Sequence, residues 1–267
     1  MRRFVTVAFA FLFLLPACQT DPTKKNPWIS GEKPDRPGWA TVIQTATSDT
    51  ETTINVLRPR LTETKYYVLP EESSVEDFKA KNHKGLKVSK TITGPHIHWE
   101  VDRIHIEGLK PGKAYKLVLA GGYRGRVKDW RTFKTLDIQK KSTRFIVGSC
   151  MSDSPSFKHI RDKIWDRMKT HNPDFLMLVG DLVYVDDFGF VKRKKAQEFD
   201  VWTRYIDSLR KISFFHQRDL IPVLAVWDDH DSGTDNSDKR FKGLKAARKV
   251  FQAFFGGQSK SPSYDFA

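Results

Sequence analysis

The sequence predicts an α+β chain of two domains, an antiparallel β-sandwich followed by the first half of an α/β sheet. Three observations lead to this fold class. The 267 residues exceed the usual size of a single domain. Residues 39–140 contain short segments rich in β-branched and aromatic residues, separated by turn residues. Residues 141–267 alternate apolar strand patterns with helical patterns, which is typical of a parallel sheet with crossover helices.

The N-terminal residues have the three regions of an export signal. Two arginines precede a short apolar run over residues 4–15, too short to span a bilayer, and the sequence Leu-Pro-Ala-Cys follows. This ending resembles a bacterial lipobox, which implies cleavage before Cys18 and a lipid on its sulfur. We therefore expect a lipoprotein signal peptide over residues 1–18 and a Pro- and Lys-rich tether over residues 19–38. An ordinary signal peptide with an incidental Cys18 is the alternative.

These features predict an exported bacterial lipoprotein of the cell envelope, at the outer membrane or cell surface, held at the membrane by the lipid on Cys18. The net charge of +14 and isoelectric point near 9.7 indicate a surface that attracts anions. The basic residues are spread along the chain without a nucleic-acid-binding motif. We therefore expect anionic partners, such as polyanions, phosphoesters or anionic lipid headgroups, and no specific nucleic-acid binding.

The chain has only two cysteines, Cys18 and Cys150. If Cys18 carries lipid, Cys150 has no disulfide partner. An odd thiol in an exported protein is reactive, metal-bound or simply a small buried side chain. The position of Cys150 directly after an apolar strand favours a metal ligand.

The predicted sandwich contains strand segments that read TTINVLRP, KYYVLP, IHWEVDRIHIEGL, AYKLVLAG and DWRTFKT. Its last part resembles a fibronectin III or related immunoglobulin-like domain, where a Leu-x-Pro-Gly turn precedes a tyrosine that fixes the corner between strands. The residues that carry this resemblance are Leu109, Pro111, Gly112 and Tyr115.

The same region has three histidines, His96, His98 and His105. His96 and His98 stand at strand alternation and could hold a metal on one face. No third ligand is evident, so surface or cross-strand histidines are the favoured interpretation.

The second domain begins with the apolar strand TRFIVGSC, and PDFLMLVGD and LIPVLAVWDDHD follow as further buried strands. Helical segments separate these strands. The apolar stripe of the first helix is predicted to be Ile160, Ile164 and Met168. The stripe of the second is predicted to be Phe199, Trp202, Ile206 and Leu209.

All three strands end in polar residues, which read GSC, GDLVYVDD and WDDHD. Parallel strands bring their carboxyl ends to one edge of a sheet, where ligands gather. Carboxylates carried into a protein interior need compensating positive charge. Carboxylate, thiolate, phenolate and imidazole groups together suit a trivalent iron or zinc beside a harder divalent ion.

In combination these motifs resemble the calcineurin-like metallophosphoesterases, and their particular forms are similar to the PhoD-like alkaline phosphatase D branch. A β-sandwich ahead of the catalytic domain also fits that branch. The resemblance implies a phosphoric ester hydrolase with a dinuclear metal site, iron with calcium being expected and zinc or manganese the alternatives. Metal-bound hydroxide would attack a phosphomonoester or phosphodiester.

The resemblance also implies roles for single residues. Asp181 would bridge two metals, Tyr184 would ligate iron as a phenolate, and Cys150 would be a thiolate ligand. Asp229 would bind the second metal and touch substrate. His230 would stand near the leaving-group oxygen as proton donor or phosphate stabiliser.

Asp228 occupies the family's glycine position, which implies a further or outer metal contact. The remaining charged residues near these motifs are expected to be solvated. The acids of this set are Asp186, Asp187, Asp231, Asp235 and Asp238, and the bases are Arg204, Lys239 and Arg240.

Complete members of this family have a second half with further histidines, whereas no histidine follows His230 in this sequence. We therefore expect a C-terminal truncation, with residues 141–267 forming an incomplete PhoD-like domain. The alternative is a non-catalytic surface lipoprotein whose degenerate phosphatase region serves a binding role.

Overall fold

The structure, a computed structural model, describes residues 40–122, 125–187 and 196–257. The expected signal peptide with Cys18 and the tether over residues 19–38 lie outside the described residues and stay predictions, as do the domain boundaries. None of the described helices is both long enough and apolar enough to cross a membrane.

The N-terminal part consists of two antiparallel sheets, with strand orders β1-β2-β5-β4 and β3-β6-β7. Their inner faces pack on each other, because apolar residues of both sheets form one buried cluster. The predicted antiparallel strands are confirmed. The seven strands are β1 Thr41–Thr45, β2 Thr52–Pro59, β3 Thr64–Pro70, β4 Lys90–Thr93, β5 Trp99–Ile106, β6 Ala114–Gly121 and β7 Arg126–Lys134.

The corner before β6 has the geometry that the sequence suggests. The Tyr115 hydroxyl accepts a hydrogen bond from the Lys110 amide at 2.8 Å. Gly112 has a φ of 64°, which glycine adopts without strain. The tyrosine therefore holds the turn that leads into β6.

The C-terminal part contains a parallel sheet with strand order β10-β9-β8. Its helices cover one face, so that Leu176, Leu178, Val223 and Ala225 join a large buried cluster with helix residues. The elements are β8 Phe145–Gly148, α1 Lys158–Thr170, β9 Phe175–Val179, α2 Glu198–Lys211, β10 Val223–Val226, α3 Asp229–Ser232 and α4 Leu244–Phe255, with short 3-10 turns at Pro155–Phe157, Val185–Asp187 and Ser213–His216.

The other face of this sheet is open in the part of the chain that the structure describes. Val147, Val179 and Val226, one on each strand, are exposed. The expectation that these strands are buried therefore holds for the face that the helices cover and is wrong for the opposite face. Side chains alternate across a strand, so helices on one face shield every second residue only.

The first residue of each predicted apolar stripe is exposed and not buried. Ile160 is 43% exposed and Phe199 is 48% exposed. In α1 the buried positions are Arg161 and Trp165. The Arg161 guanidinium donates to the carbonyls of Ser152 and Ser154. These hydrogen bonds direct the Arg161 side of α1 toward the loop after β8, so that Ile160 faces solvent.

In α2, Trp202, Ile206 and Leu209 are buried as predicted. Arg204 and Tyr205 are buried with them and widen the stripe on the side away from Phe199. The buried face of α2 is therefore rotated relative to the predicted stripe.

The sandwich and the parallel sheet share one apolar core. Ile43, Leu57 and Val101 point away from the inner faces of the sandwich and join the cluster that contains the helices. The polar groups on this sandwich face bind the C-terminal end of α4, where helix carbonyls lack intrahelical donors. Asn55 Nδ2 donates to the carbonyls of Phe254 and Gly256 at 2.9 and 2.8 Å.

Candidate metal-binding site

The segments after β8 and β9 are joined at the edge of the parallel sheet. The Cys150 amide donates to the Gly180 carbonyl at 3.3 Å, and the Met151 amide donates to the Asp181 carbonyl at 2.8 Å. These bonds extend the contact of the two strands beyond their ends. As a result, the side chains of Cys150 and Asp181 lie next to each other, with Sγ 3.5 Å from Oδ2.

Cys150 and Asp181 have backbone conformations that residues with side chains disfavour. Their φ angles are 58° and 55°. Such conformations cost about 1–3 kcal/mol each and cluster at functional sites, where the surrounding structure enforces them. Gly180, between the strand and Asp181, has a φ of 92°, and a Cβ at this position would lie 2.5 Å from the Cβ of Asp228.

Asp181, Asp229 and His230 form the candidate metal-binding group. Each offers one ligand atom, and these atoms all lie within 4.8 Å of one another. Asp181 Oδ1 is buried and has no hydrogen-bond partner among the described residues. An oxygen of this kind is unfavourable unless a cation or a donor compensates it, so the donor set fits a metal ion.

The electrostatics of the group also favour a bound cation. Burial raises the pKa of Asp181, and the charges of Asp229 and Asp228 act in the same direction. His230 and the hydrogen bond from Cys150 oppose this shift. A metal ion among these carboxylates would relieve their mutual repulsion.

His230 is oriented by an acid that sequence reasoning assigned to solvent. Its Nδ1 lies 2.9 Å from Asp186 Oδ1, and Asp186 is buried. An ionised carboxylate only accepts, so Nδ1 carries the proton of this bond. Burial lowers the pKa of His230, but the hydrogen bond and charge of Asp186, with the charges of Asp181 and Asp229, raise it to about 9.

Asp228 and Asp229 stand at the start of the short helix α3. Asp228 Oδ1 accepts from the Asp229 amide at 2.9 Å, so the side chain of Asp228 caps the helix and is exposed. Asp229 Oδ2 accepts from the Asn236 amide. The structure thus places Asp229 in the candidate group and gives Asp228 a capping contact beside it.

The Tyr184 ring packs against the imidazole of His230, with ring centroids 4.4 Å apart and ring planes tilted by 36°. Its backbone carbonyl accepts from Arg204 Nε at 2.7 Å. All six residues that the sequence singled out in this region therefore lie at the same edge of the sheet. Their roles as ligands or catalytic groups stay predictions.

Asp231 is buried and accepts hydrogen bonds from three backbone amides, contrary to the expectation of a solvated loop acid. Its Oδ1 accepts from the amides of Leu182 and Val183 at 2.9 and 2.8 Å, and its Oδ2 accepts from the Asp228 amide at 3.0 Å. Burial raises the pKa of Asp231 to about 7, although the backbone donors oppose the shift. The side chain joins the segment after β9 to the segment after β10.

Arg204 is also buried, contrary to the expectation of a solvated basic face. Its guanidinium donates to Asp153 Oδ2 at 3.0 Å and to Asp187 Oδ2 at 2.9 Å. It therefore neutralises one acid from the segment after β8 and one from the segment after β9. Asp187 is a partner of this buried cation instead of a purely solvated acid.

Some of these missed residues left a signal in the sequence. Asp228 and Asp231 have the i, i+3 spacing of a capping box. Arg204 stands three residues after Val201 and four before Ser208, which places it on the buried helix face. Asp186 left no local signal, because its partner His230 is distant in the sequence.

No protein-family model and no curated protein matches this sequence. Among solved structures, PhoD is similar to the chain, with a TM-score of 0.55 and 15% sequence identity over 85% of this chain and 49% of the PhoD chain. The chain thus spans about half the length of PhoD.

Two further structures match smaller parts of the chain. The sensor domain of the anti-sigma factor RsgI4 from Pseudobacteroides cellulosolvens is 19% identical over 39% of this chain and 96% of that domain, with a TM-score of 0.24. The third fibronectin III domain of the human KIAA0343 protein is 17% identical over 40% of this chain and 86% of that domain, with a TM-score of 0.20. The likeness to PhoD concerns the fold, and the described chain has a PhoD-like fold of mixed α and β structure.

Proposed function

We propose that this protein is a metal-dependent phosphoester hydrolase of the PhoD type. The observation that carries the proposal is the convergence of Asp181, Asp229 and His230, whose ligand atoms lie within 4.8 Å of one another at the edge of a PhoD-like sheet. The strained backbone of Cys150 and Asp181 supports it, because strain of this kind accompanies functional geometry.

The proposed metals are iron and calcium in a dinuclear site. Asp181 would hold metal through its carboxylate, since one oxygen lies toward Cys150 and the other is buried with no hydrogen-bond donor among the described residues. The Cys150 thiolate and the Tyr184 phenolate suit iron, whereas the Asp229 carboxylate suits calcium. When bound, such a pair of ions polarises the phosphoryl oxygens and lowers the pKa of a water molecule.

The residues of the chain supply the other parts of the reaction. In this proposal Asp181 and Asp229 would bind the ions, and His230 would lie beside them as a proton donor and not as a ligand. Asp186 holds Nδ1 of His230 and stabilises the imidazolium, so Nε2 can pass a proton to the leaving-group oxygen. Asp231 and Arg204 fix the loops that carry the group. The substrate is an anionic phosphoester, attracted by the net positive charge. We also propose that the lipid on Cys18 holds the enzyme at the cell envelope.

The test is hydrolysis of p-nitrophenyl phosphate and bis-p-nitrophenyl phosphate by protein supplied with iron and calcium, with metal content measured on the same samples. Asp181→Asn should lose metal and lower the rate by more than the roughly 10–100-fold that loss of an outer-shell metal contact produces. Asp166→Asn, at an exposed carboxylate of α1, is the matched control and should change neither.

Metal retention without hydrolysis of either ester would contradict the enzymatic proposal. It would support the second function, a surface lipoprotein with a binding role. One observation favours that alternative: His230 is the one imidazole in the group among the described residues. A metal site with few imidazole ligands can persist as a binding site after catalysis is lost.

A further inference from the structure

A second group of metal-ligating side chains lies on the sandwich, away from the residues of the proposed reaction. Glu51 precedes β2, His105 is the penultimate residue of β5, and Glu107 directly follows β5. One ligand atom from each of the three lies within 4.8 Å of the others. We propose that Glu51, His105 and Glu107 bind a divalent transition-metal ion of the zinc class.

The pairing register explains why these side chains meet. β2 and β5 are antiparallel, with Thr53 opposite His105 and Thr52 opposite Ile106. Glu51 directly precedes β2 and Glu107 directly follows β5, so both stand at the same end of this strand pair as His105. Carboxylates that lie close together repel, and a cation between them would remove this repulsion.

The distances are compatible with metal coordination. His105 Nε2 lies 3.5 Å from Glu51 Oε2 and 3.4 Å from Glu107 Oε1. In a tetrahedral zinc site with bonds of about 2.1 Å, two ligand atoms are about 3.4 Å apart. The two separations therefore correspond to edges of such a tetrahedron.

The surroundings of His105 also fit a ligand. Its Nδ1 lies 3.4 Å from the hydroxyl of the buried Thr53. A metal-binding imidazole usually has its second nitrogen bonded in this way, which leaves Nε2 for the ion. The side chains of Glu51 and His105 are 12% and 17% exposed, whereas Glu107 is 55% exposed. The site is thus anchored on one side and open to solvent on the other, where water can complete the coordination.

The experiment is a titration with Zn²⁺ alone at pH 7.5, on full-length protein in which Asp181→Asn and Asp229→Asn remove the other candidate site. We expect one equivalent of zinc and a zinc-dependent rise in melting temperature. Glu107→Gln, at the most exposed of the three ligands, should abolish both without affecting folding. Thr53→Val should weaken binding by roughly 10–100-fold, because it removes the contact that orients the imidazole.

His159→Gln, at an exposed histidine of α1, is the matched control and should bind zinc as before. The proposal is wrong if Glu107→Gln binds zinc with unchanged stoichiometry and affinity, or if the parent protein binds none. Because the Asp181 group is disabled throughout, neither result bears on the proposed hydrolase activity.

Discussion

Arg204 and Asp153 form a doubly hydrogen-bonded ion pair in the interior, where both side chains are buried. Asp153 belongs to the segment after β8. The same guanidinium binds the Tyr184 carbonyl and Asp187 after β9. One buried cation therefore fixes the two loops that carry Cys150 and Tyr184 toward the candidate metal group.

Replacing Arg204 with methionine should destabilise the protein strongly. The substitution leaves Asp153 buried without its cation, and breaking a buried pair in this way costs about 3–5 kcal/mol. The free energy of unfolding, measured by urea denaturation, is the readout. Arg167→Met, at an exposed arginine of α1, should change it by less than about 0.5 kcal/mol. Similar effects of the two variants would contradict the assignment.

The Asp153–Arg204 pair should also make stability depend on pH. Burial raises the pKa of Asp153, but the charge and hydrogen bonds of Arg204 outweigh it and lower the pKa below its ordinary value. An acid whose pKa is lowered by folding stabilises the protein above its unfolded pKa of about 3.9. This stabilisation is lost as the pH falls through the lower folded pKa.

The measurement is urea denaturation of the wild type and of Asp153→Asn between pH 7 and pH 3. The wild type should be the more stable protein at pH 7, and the difference should shrink below about pH 4. Asp166→Asn should follow the wild type over the whole range. A gap that stays constant down to pH 3 would show that Asp153 does not titrate as the geometry implies.

Gly180, in the Gly-Asp motif, allows a prediction that separates the backbone strain of an added side chain from its steric clash with Asp228. Gly180→Ala places a side chain at a φ of 92°, which costs about 1–2 kcal/mol, and drives its Cβ into Asp228. Gly108→Ala has a similar φ of 76° with no atom within 4 Å of the added Cβ. Both variants should therefore lose stability in thermal and urea unfolding, and Gly180→Ala should lose more. Equal losses would mean that Asp228 moves aside freely.

The sequence predicted the strands and the meeting of their ends because these depend on local patterns and on the geometry of parallel sheets. β2 and β6 coincide with TTINVLRP and AYKLVLAG. The predicted site residues Cys150, Asp181, Asp229 and His230 meet at one edge of the parallel sheet. The prediction failed where a polar residue is buried by a partner far along the chain. Arg204 and Asp186 carry charged side chains, which are expected at the surface. Their burial becomes favourable only through partners that are distant in the sequence, Asp153 for Arg204 and His230 for Asp186.

The burial of Asp231 leads to a last prediction, on the conservative variant Asp231→Asn. The carboxylate accepts from three backbone amides, those of Leu182, Val183 and Asp228. An asparagine has one carbonyl oxygen, so its amide group must face at least one of these N–H donors. A buried donor without an acceptor costs about 1–3 kcal/mol, and the variant should lose that much stability in urea denaturation at pH 5. The loss should be smaller at pH 8, because burial raises the pKa of Asp231 to about 7 and the wild type then carries a buried charge that asparagine lacks.

The same substitution should loosen the link between the segments after β9 and β10, since Oδ1 binds the first and Oδ2 the second. Amide hydrogen exchange reports this directly: Leu182, Val183 and Asp228 should exchange faster in Asp231→Asn, while amides in the sandwich strand β6 keep their protection. Asp166→Asn again provides the control for loss of one charge. If all amides of the chain accelerate equally, Asp231 contributes to global stability only and does not join these two segments.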